Sequence, residues 1–315
     1  MELIILNKNN IKFDNSLVVA IGQFDGIHLG HLSLLNKTIE IGKNKNYKTG
    51  VITFDPHPDF VLKKDNRINY ITPFEEKKRI IEELGFDYLI IIKFDLEIAN
   101  MEPKDFINKY LIEQNVKEVV VGFDFVFGKR GSGKAIEIDK LSENKLQTTI
   151  ISKLDYNNEK IASSTIKECL LNGEVEEVRN QLGRYYSING KIIYGKQVGK
   201  TIDVPTANLE YDESYVNLKT GVYVTIVEIE DKAYLGITNF GNNPSFNFTK
   251  KRTIETHILD FNENIYDKEA KISFVKRLRN EEKFASIEEF KKQIEKDKIE
   301  AKKLLENNEY LKNKF

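Results

Sequence analysis

The sequence is poor in cysteine, in histidine and in excess charge. Its 315 residues include one cysteine, Cys169, so no internal disulfide bond stabilises the fold. Lysine and arginine number 48 against 49 acidic residues, which gives a formal net charge of -1. A chain this close to neutrality has no overall positive field that would attract nucleic acid or an anionic membrane. We therefore expect small-molecule partners that are recognised locally, and no nucleic acid.

Long hydrophobic runs are also missing. The opening segment MELIILNKNNIKF has neither the basic start nor the apolar stretch of a signal peptide, and its apolar run is too short to span a membrane. We expect a cytoplasmic protein that does not engage a membrane. The sequence leaves its oligomeric state open.

The length and a change of pattern near Gly183 predict two domains. In residues 1–183, apolar runs such as LVVAIG and YKTGVITFD alternate with helical patterns. This alternation predicts a doubly wound α/β domain around a parallel sheet. In residues 184–315, segments with alternating apolar residues are separated by turns rich in Gly, Asn and Asp, which predicts an antiparallel barrel or sandwich.

The last segment predicts a helix that docks on this second domain. Ser286 and Glu289 have the spacing of a capping box, which marks a helix start. The apolar residues that follow share roughly one helical face: Ile287, Phe290, Ile294, Ala301 and Leu305.

Two of the four histidines stand three residues apart, just after the first apolar strand. Residues 17–21 predict this strand and His28 begins a helix, so residues 22–27 form a loop at the carboxyl edge of the sheet, where α/β folds bind ligands. A helix start favours negative charge, and glycines let the backbone come close to a phosphate. His28 and His31 share a helical face and can both donate to a phosphate. The alternative is a pair of surface or capping histidines.

The segment that contains these histidines, GQFDGIHLGH, resembles the GxFDGxHxGH signature of the HxGH nucleotidyltransferase superfamily. The version is that of bacterial bifunctional riboflavin kinase/FAD synthetases. Three further motifs of that family follow in order: TFDPHP at 53–58, VVGFDFVFGKRGSG at 120–133 and IASSTIKECL at 161–170. The resemblance implies a Rossmann-like domain that adenylylates FMN with ATP to give FAD and pyrophosphate.

The resemblance also implies roles for residues of the first domain. His28 and His31 would bind the ATP phosphates and act on the departing pyrophosphate, and His57 would lie near the flavin nucleotide. Asp124 and the loop after it would help to hold the adenylyl donor. The other expected ATP-binding or phosphate-binding residues are Gly22, Phe24, Asp25, Gly26, Ser163, Ser164 and Lys167.

Each of these motifs has a purely structural alternative when it is taken alone. DPHP would be a rigid turn, Asp124 a strand-end cap, and Ser163 with Ser164 ordinary N-cap residues. The chain also departs from the family's SSTxIR element, because Lys167 stands where an arginine is usual. Lysine keeps the positive charge but loses the bidentate geometry of arginine.

The second half contains motifs that resemble riboflavin kinases. GKQVGKTIDVPTANL at 195–209 is similar to the signature of that family, most strongly at PTAN. Further elements follow in order: GVYV at 221–224, TNFGNNPSF at 238–246, ETHILDF at 255–261 and LRNEEKF at 278–284. The resemblance implies a β-barrel with a C-terminal helix that phosphorylates riboflavin with ATP to give FMN, and both reactions would need Mg²⁺.

Thr206 and Asn208 of the PTAN motif offer two hard oxygen ligands of the kind that Mg²⁺ prefers. Glu255 shares a strand face with Thr253 and His257, and a carboxylate there can take the proton of an attacking alcohol. The resemblance makes Glu255 the base that acts on the ribityl 5′-hydroxyl. The remaining expected residues are Gly195, Gly199 and Lys200 for phosphate, and Asn239 and Arg279 for the flavin.

Alternatives stay open in this half as well. PTAN alone would be a plain turn, Glu255 a surface carboxylate paired with a lysine, and Arg279 a cap of the barrel. Lys200 replaces the usual arginine, Asp203 the usual glycine and Ser245 the usual threonine. Two alternatives for the whole protein remain. One is a nucleotidyltransferase for another phosphate ester, and the other is a flavin-binding regulatory protein without turnover.

Overall fold

The computed structural model describes residues 1–6, 12–63, 69–157, 159–194, 204–242 and 252–308. The chain forms two compact units, 1–163 and 164–315. The helix before Gly183 ends there in a left-handed conformation, and the domain boundary expected at this glycine stays a prediction. Five residues singled out from the sequence lie outside the described residues: Gly195, Gly199, Lys200, Asp203 and Ser245.

The first unit is built on a parallel sheet of six strands in the order β1-β4-β3-β2-β5-β8. The strands are β1 (Glu2–Leu6), β2 (Leu17–Ile21), β3 (Lys48–Asp55), β4 (Tyr88–Lys93), β5 (Val116–Gly122) and β8 (Gln147–Ile151). This confirms the predicted doubly wound α/β architecture. Sequence periodicity did not single out β1 and β8, because these edge strands are short and expose side chains on one face.

Helices cover both faces of this sheet. They are α1 (Leu29–Lys45), α2 (Pro58–Leu62), α3 (Phe74–Glu83), α4 (Leu96–Ala99), α5 (Pro103–Ile107) and α6 (Ile138–Leu141). Val18 and Ala20 of β2 pack in the cluster that contains the apolar residues of α1 and α3, and Val19 and Ile21 pack in the cluster that contains those of α5 and α6. Two hairpins complete the unit: β6 (Val126–Phe127) pairs with β7 (Gly133–Lys134), and β9 (Asp155–Tyr156) pairs with β10 (Glu159–Lys160).

The second unit is a closed antiparallel barrel in the order β11-β12-β15-β14-β13-β16. Helix α7 (Ser163–Asn172) starts at the boundary of the units, and α8 (Val175–Leu182) follows it. The barrel strands are β11 (Tyr186–Ile193), β12 (Ala207–Tyr211), β13 (Gly221–Ile229), β14 (Lys232–Asn242), β15 (Arg252–Ile258) and β16 (Glu269–Arg279). The predicted barrel is confirmed. Strand β12 was not predicted from periodicity, although it holds the end of the PTAN motif.

The predicted C-terminal helix is present as α9 (Ile287–Glu306), and it packs on the outer face of the barrel. Ser286 Oγ accepts a hydrogen bond from the Glu289 N–H at 3.2 Å, so the predicted cap forms. Ile287, at the start of the predicted apolar face, is 53% exposed. Further along the same face, Ile294 and Ala301 are buried, which agrees with the predicted docking of the helix.

None of the helices within the described ranges is long and apolar enough to cross a bilayer.

A chain of three buried hydroxyls crosses the barrel interior. Thr238 Oγ1 lies 2.8 Å from the Oγ1 atoms of both Thr225 and Thr256. These hydrogen bonds join β13, β14 and β15 inside the barrel. The next residue on β14 and the residue before Thr256 on β15, Asn239 and Glu255, point outward. A buried hydroxyl stabilises a fold only while its hydrogen bonds are made.

We predict that Thr238→Val lowers the free energy of unfolding by about 1 to 3 kcal/mol, because it leaves two neighbouring hydroxyls without their shared partner. Urea unfolding of the full chain measures this change. Thr253→Val is the control, because Thr253 lies half-buried on the outer face of β15. Equal stability of the two variants would contradict the importance of the hydroxyl chain.

Candidate active sites

The loop with the two histidines joins β2 to α1 at the carboxyl edge of the parallel sheet. Because β2 is buried on both faces, the loop leaves the sheet at a fixed place. His28 is the N-cap residue of α1, and its Nδ1 accepts a hydrogen bond from the His31 N–H at 3.2 Å. His28 therefore caps the helix, which was one of the alternatives from the sequence. The hydrogen bond also fixes the position of the His28 ring.

The cap determines which nitrogen of His28 carries the proton. Because Nδ1 accepts a hydrogen bond, the neutral ring has its proton on Nε2. The rings of His28 and His31 stack with centroids 3.7 Å apart and an interplanar angle of 15°. Both residues line one cleft. The two imidazoles therefore form a single polar surface at the start of a helix, where an anion is favoured.

Two glycines make this arrangement possible. A Cβ at Gly30 would lie 3.2 Å from the ring of His28 and would disturb the stack. Gly26 has φ +89°, which strains residues with a side chain, and its Cβ would lie 3.1 Å from Ile71. The spacing of glycines in GQFDGIHLGH thus serves ring placement as well as the turn of the loop.

The side chains of Phe24 and Asp25 are buried and hold the loop from inside. The Phe24 ring packs edge-on against His31 at 5.3 Å, and a Cβ at Gly22 would lie 3.1 Å from Phe24. Asp25 Oδ1 accepts hydrogen bonds from the two N–H groups of residues 71–72 at 2.8 and 3.2 Å. Neither side chain lines the cleft, and their expected roles in ATP binding stay predictions.

A buried lysine contacts the same loop from the side of α3. Lys77 is 5% exposed, and its Nζ donates to the Gln23 carbonyl at 2.7 Å. Burial lowers the pKa of Lys77 from 10.5 to about 8, and the nearby carboxylates Asp25 and Asp55 oppose this shift. One pKa unit corresponds to about 1.4 kcal/mol, so the buried charge costs on the order of 3 kcal/mol at neutral pH. Between pH 8 and 10.5 the unfolded chain binds more protons at this group, so this cost shrinks as the pH rises.

A cleft of about 220 Å³ opens beside the stacked histidines. Its described lining includes His28, Gly30, His31, Asp124, Lys153, Lys160 and Ser163. Lys160 forms an ion pair with Asp124 and lies over the Phe123 ring at 4.9 Å. Ser163 Oγ donates to the Asp25 carbonyl at 2.8 Å, which ties the start of α7 to the loop. Imidazoles, a helix start and two ammonium groups suit a polyphosphate.

Gly22, Gly26 and His57 are also absent from the described lining of this cleft, and Ser164 and Lys167 belong to the second unit. His57 caps α2 through its Nδ1, which accepts from the Asp59 N–H at 3.1 Å, and its ring lies 6.2 Å from the ring of Tyr70. Ser164 and Lys167 lie in the first two turns of α7, where Ser164 is exposed and Lys167 half-buried. Their expected contacts with flavin nucleotide and triphosphate stay predictions.

In the second unit, strand register places the predicted metal ligands next to the predicted base. Asn208 of β12 pairs directly with Glu255 of β15, and Glu255 pairs with Asn239 of β14. Side chains of directly opposed residues in antiparallel strands lie on the same face, about 5 Å apart at Cβ. Asn208, Glu255 and Asn239 thus form a row on the outer face of the barrel. Thr206 lies on this face two residues before Asn208.

A histidine fixes the main chain of the PTAN motif. His257 Nδ1 lies 2.8 Å from the Pro205 carbonyl, within hydrogen-bonding distance. Burial lowers the pKa of His257, so the ring is neutral at pH 7 and donates its Nδ1 proton to this carbonyl. The contact holds the turn from which Thr206 and Asn208 project, and it explains why a histidine two residues after Glu255 suits this barrel.

A cleft of about 180 Å³ lies over the row of polar residues, between the barrel and α9. Thr206, Asn239, Glu255, Arg279, Phe284 and Phe290 are among its lining residues. Asn239 Nδ2 donates to Glu281 Oε1 at 3.3 Å, while its buried Oδ1 has no hydrogen-bond partner among the described residues. Four predicted residues, Thr206, Asn239, Glu255 and Arg279, therefore meet in one cleft.

Arg279 is held by a carboxylate that the sequence analysis did not identify. Its Nη2 lies 2.8 Å from Asp297 Oδ2, and its Nε lies 3.2 Å from both oxygens of Asp297. Asp297 belongs to α9, and its side chain is 4% exposed. Gln293 Nε2 also donates to Asp297, at 2.9 Å. The pair fixes the guanidinium at the cleft, and the expected contact of Arg279 with flavin stays a prediction.

A second cleft of about 440 Å³ in this unit shares Thr206 with the first. Its lining includes Tyr194 and Tyr266, whose rings stack at 3.7 Å with an interplanar angle of 16°, together with Pro205 and Phe261. Sequence reasoning missed this aromatic cleft, because its two tyrosines are far apart in the chain. A flat aromatic ligand suits such a surface.

Two family models match the two parts of the chain. The model for FAD synthetase matches residues 10–165, and the model for riboflavin kinase matches residues 182–305.

The chain is also similar to known proteins over nearly all of its length. It is 40% identical to the bifunctional riboflavin kinase/FMN adenylyltransferase of Bacillus subtilis, over 92% of this chain and 93% of that protein. Identity to the protein of the same description from Listeria monocytogenes is 36%, over 92% of each chain. A crystal structure of a macrolide-efflux protein from Streptococcus pneumoniae matches with a TM-score of 0.89 and 27% identity, over 95% of this chain and 98% of that one. That description belongs to the other protein, and the likeness supports the fold.

We predict that His257 titrates below the ordinary histidine pKa of 6.5. The unfolded chain then binds more protons than the folded chain between the lowered pKa and 6.5, so stability falls as the pH falls through this window. NMR titration of the His257 ring protons, assigned with His257→Gln, measures the folded value. The same titration in urea is the control. A folded value at or above that of the unfolded chain would contradict the burial argument.

Proposed function

This chain belongs to the bifunctional riboflavin kinase/FMN adenylyltransferase family, and we propose that it converts riboflavin to FMN and FMN to FAD. The assignment is kinase for residues 184–315 and adenylyltransferase for residues 1–183. One observation carries the proposal: each unit has its own cleft, and each cleft is lined by four of the residues expected for one of the two reactions. They are His28, His31, Asp124 and Ser163 in the first unit, and Thr206, Asn239, Glu255 and Arg279 in the second. Because both reactions consume ATP, the proposal includes a cytoplasmic location.

In the first reaction of the proposal, Glu255 accepts the proton of the ribityl 5′-hydroxyl as that oxygen attacks the γ-phosphorus of ATP and ADP leaves. The position of Glu255 supports this role, because it lies between Asn208 and Asn239 on the wall of a cleft with aromatic and apolar lining. A lysine-paired surface carboxylate of the same barrel is Glu228, which pairs with Lys271 at 2.8 Å.

The described residues fit a magnesium ion at Thr206 and Asn208. Both offer oxygen donors on the face of Glu255, and Mg²⁺ in phosphoryl-transfer sites is commonly held by few protein ligands and by substrate phosphates. Bound there, the ion would neutralise phosphate charge. The chain itself fixes the two donors, through the Pro205 carbonyl on His257 and through the pairing of β12 with β15. The aromatic cleft at Tyr194 and Tyr266 would take the adenine ring, since it adjoins Thr206.

In the second reaction, a phosphate oxygen of FMN attacks the α-phosphorus of ATP and pyrophosphate leaves. His28, through Nε2, and His31 would donate hydrogen bonds to the phosphates as their charge grows, and the start of α1 adds its dipole. The Lys160 ammonium would leave its ion pair with Asp124 and bind the phosphates. The stacked rings need little reorganisation for this task, because the cap and Gly30 already hold them in place.

We predict that His31→Ala lowers FAD formation about 100-fold or more and leaves FMN formation unchanged, because it removes a donor from the departing pyrophosphate. A chromatographic time course with riboflavin, ATP and Mg²⁺ follows both products. Lys37→Ala on the exposed side of α1 is the control. If the wild type left riboflavin unchanged, the proposed function would be wrong. Adenylylation of another phosphate ester in preference to FMN would favour the alternative acceptor.

We predict the reverse pattern for Glu255→Gln. Loss of the base lowers FMN formation by a factor of about 100 to 10,000, while FMN supplied directly is still converted to FAD. Glu228→Gln is the matched control, because it removes a barrel carboxylate that pairs with a lysine. Equal effects of the two substitutions on FMN formation would sink the base role of Glu255.

A further inference from the structure

A positive charge is buried behind the loop that positions His28 and His31, and nothing in the proposed reaction uses it yet. Lys77 projects from α3 and donates from Nζ to the Gln23 carbonyl at 2.7 Å. Gln23 lies in the loop between β2 and α1, one residue before Phe24. Lys77 occupies the apolar face of α3 together with Ile80 and Ile81, so a hydrophobic side chain would fit this place in the helix pattern.

The hydrogen bond from Lys77 keeps a charged group in a buried place, which is costly for the fold. The Thr53 hydroxyl lies 3.3 Å from the Gln23 carbonyl and 3.2 Å from Gln23 Oε1, and its single proton cannot serve both acceptors. Lys77, at 2.7 Å, is therefore the principal side-chain donor to this carbonyl. Burial lowers the pKa of Lys77 to about 8, which means that the charged form is costly to keep inside. A charge that is costly to bury and that lies behind a ligand-facing loop is typical of a functional group.

The geometry shows what the lysine does to the loop. In a trans peptide, the N–H of one residue points away from the carbonyl of the residue before it. Because Lys77 draws the Gln23 carbonyl toward α3, the Phe24 N–H is turned away from α3. Phe24 itself has φ +50°, and its ring packs against His31 at 5.3 Å. The contact at Gln23 therefore sets the start of a chain of contacts that ends at an imidazole of the cleft.

The Lys77 ammonium offsets the negative charge of two carboxylates behind the loop. Asp25 and Asp55 face it from the loop and from the end of β3. Asp25 Oδ1 is engaged by the N–H groups of residues 71–72, and Glu76 of α3 is paired with Arg79 at 2.7 Å. Tyr70 also lies near these carboxylates, and burial raises its pKa.

We propose that Lys77 is a positioning residue for adenylyl transfer, which orients the Gln23–Phe24 peptide and places positive charge behind the loop that faces the nucleotide phosphates. The proposal rests on the function proposed for the first unit and adds a residue to it. Lys77 touches no reacting atom in this proposal. It keeps the loop in its phosphate-binding form before the nucleotide arrives, so that ATP binding does not have to order it.

The test compares Lys77→Met, Lys77→Arg and wild type in the full chain. Methionine keeps the length of the apolar stem and removes the charge and the donor, whereas arginine keeps both. We expect Lys77→Met to lower kcat/KM for FAD formation by about tenfold or more, and Lys77→Arg to restore part of the loss. The kinase reaction of the same molecules should stay within about twofold of wild type, which shows that the chain is folded. Lys78→Met, one residue on, is the control for removing a lysine from α3.

The pH profile separates positioning charge from simple packing. As Lys77 loses its proton near pH 8, kcat/KM for FAD formation should fall in the wild type, because this parameter reports the free enzyme. In Lys77→Arg the alkaline fall should move to higher pH, since arginine stays charged. Thermal unfolding provides a further readout: we expect Lys77→Met to melt no lower than wild type, because the cost of the buried charge is removed.

Several results would overturn the proposal. They are unchanged FAD formation in Lys77→Met, equal impairment by methionine and arginine, or a parallel loss of kinase activity. A fall of kcat/KM at alkaline pH that is the same in Lys77→Arg as in wild type would also overturn it. If wild type phosphorylates riboflavin but does not adenylylate FMN, the function proposed for the first unit fails. Calorimetric titration with inorganic pyrophosphate then still decides the role of Lys77. Binding about tenfold weaker in Lys77→Met supports it, and equal binding refutes it.

Discussion

One hydrogen bond, from the His31 N–H to His28 Nδ1, organises the first unit's candidate site. It starts α1, assigns the His28 proton to Nε2, and brings the second ring into a stack with the first. The structural and the functional interpretations of the HxGH segment are therefore not competitors. A capping histidine is a histidine whose remaining nitrogen has a defined direction and a defined proton. Gly30 is part of the same device, because any larger residue would touch the cap.

The second unit reaches a comparable result with strand register. Direct pairing of Asn208 with Glu255 and of Glu255 with Asn239 brings three polar side chains into line across three strands. A slip by one residue would move each of them to the barrel interior, where Thr238 and Thr256 now lie. The interior hydroxyl chain and the exterior polar row are thus two faces of one register.

The sequence was sufficient for the fold class and for the C-terminal helix, because these depend on periodicity and on dense motifs. Four of the residues that it singled out also line each of the two clefts beside the stacked histidines and beside α9, and their roles stay predictions. The sequence was not sufficient for Lys77 and Asp297. Each is a charged residue at an apolar-face position of an otherwise charged helix. An analysis of apolar periodicity treats such a residue as an interruption of the pattern and assigns it no role. A lysine or aspartate at such a position is a usable signal. The tyrosine pair at 194 and 266 and the pairing of Lys160 with Asp124 depend on tertiary contacts that spacing does not encode.

The ion pairs that join α9 to the barrel differ in how strongly ionic strength weakens them. Arg279 and Asp297 are almost fully enclosed, so dissolved ions screen their attraction poorly. The pairs further along the helix, Lys276 with Glu300 and Lys302 with Asp260, are open to solvent and lose most of their small contribution in concentrated salt. Salt therefore weakens the ion pairs at the far end of α9 first, where the apolar contact of Ala301 remains, while the Arg279–Asp297 pair at the cleft is kept.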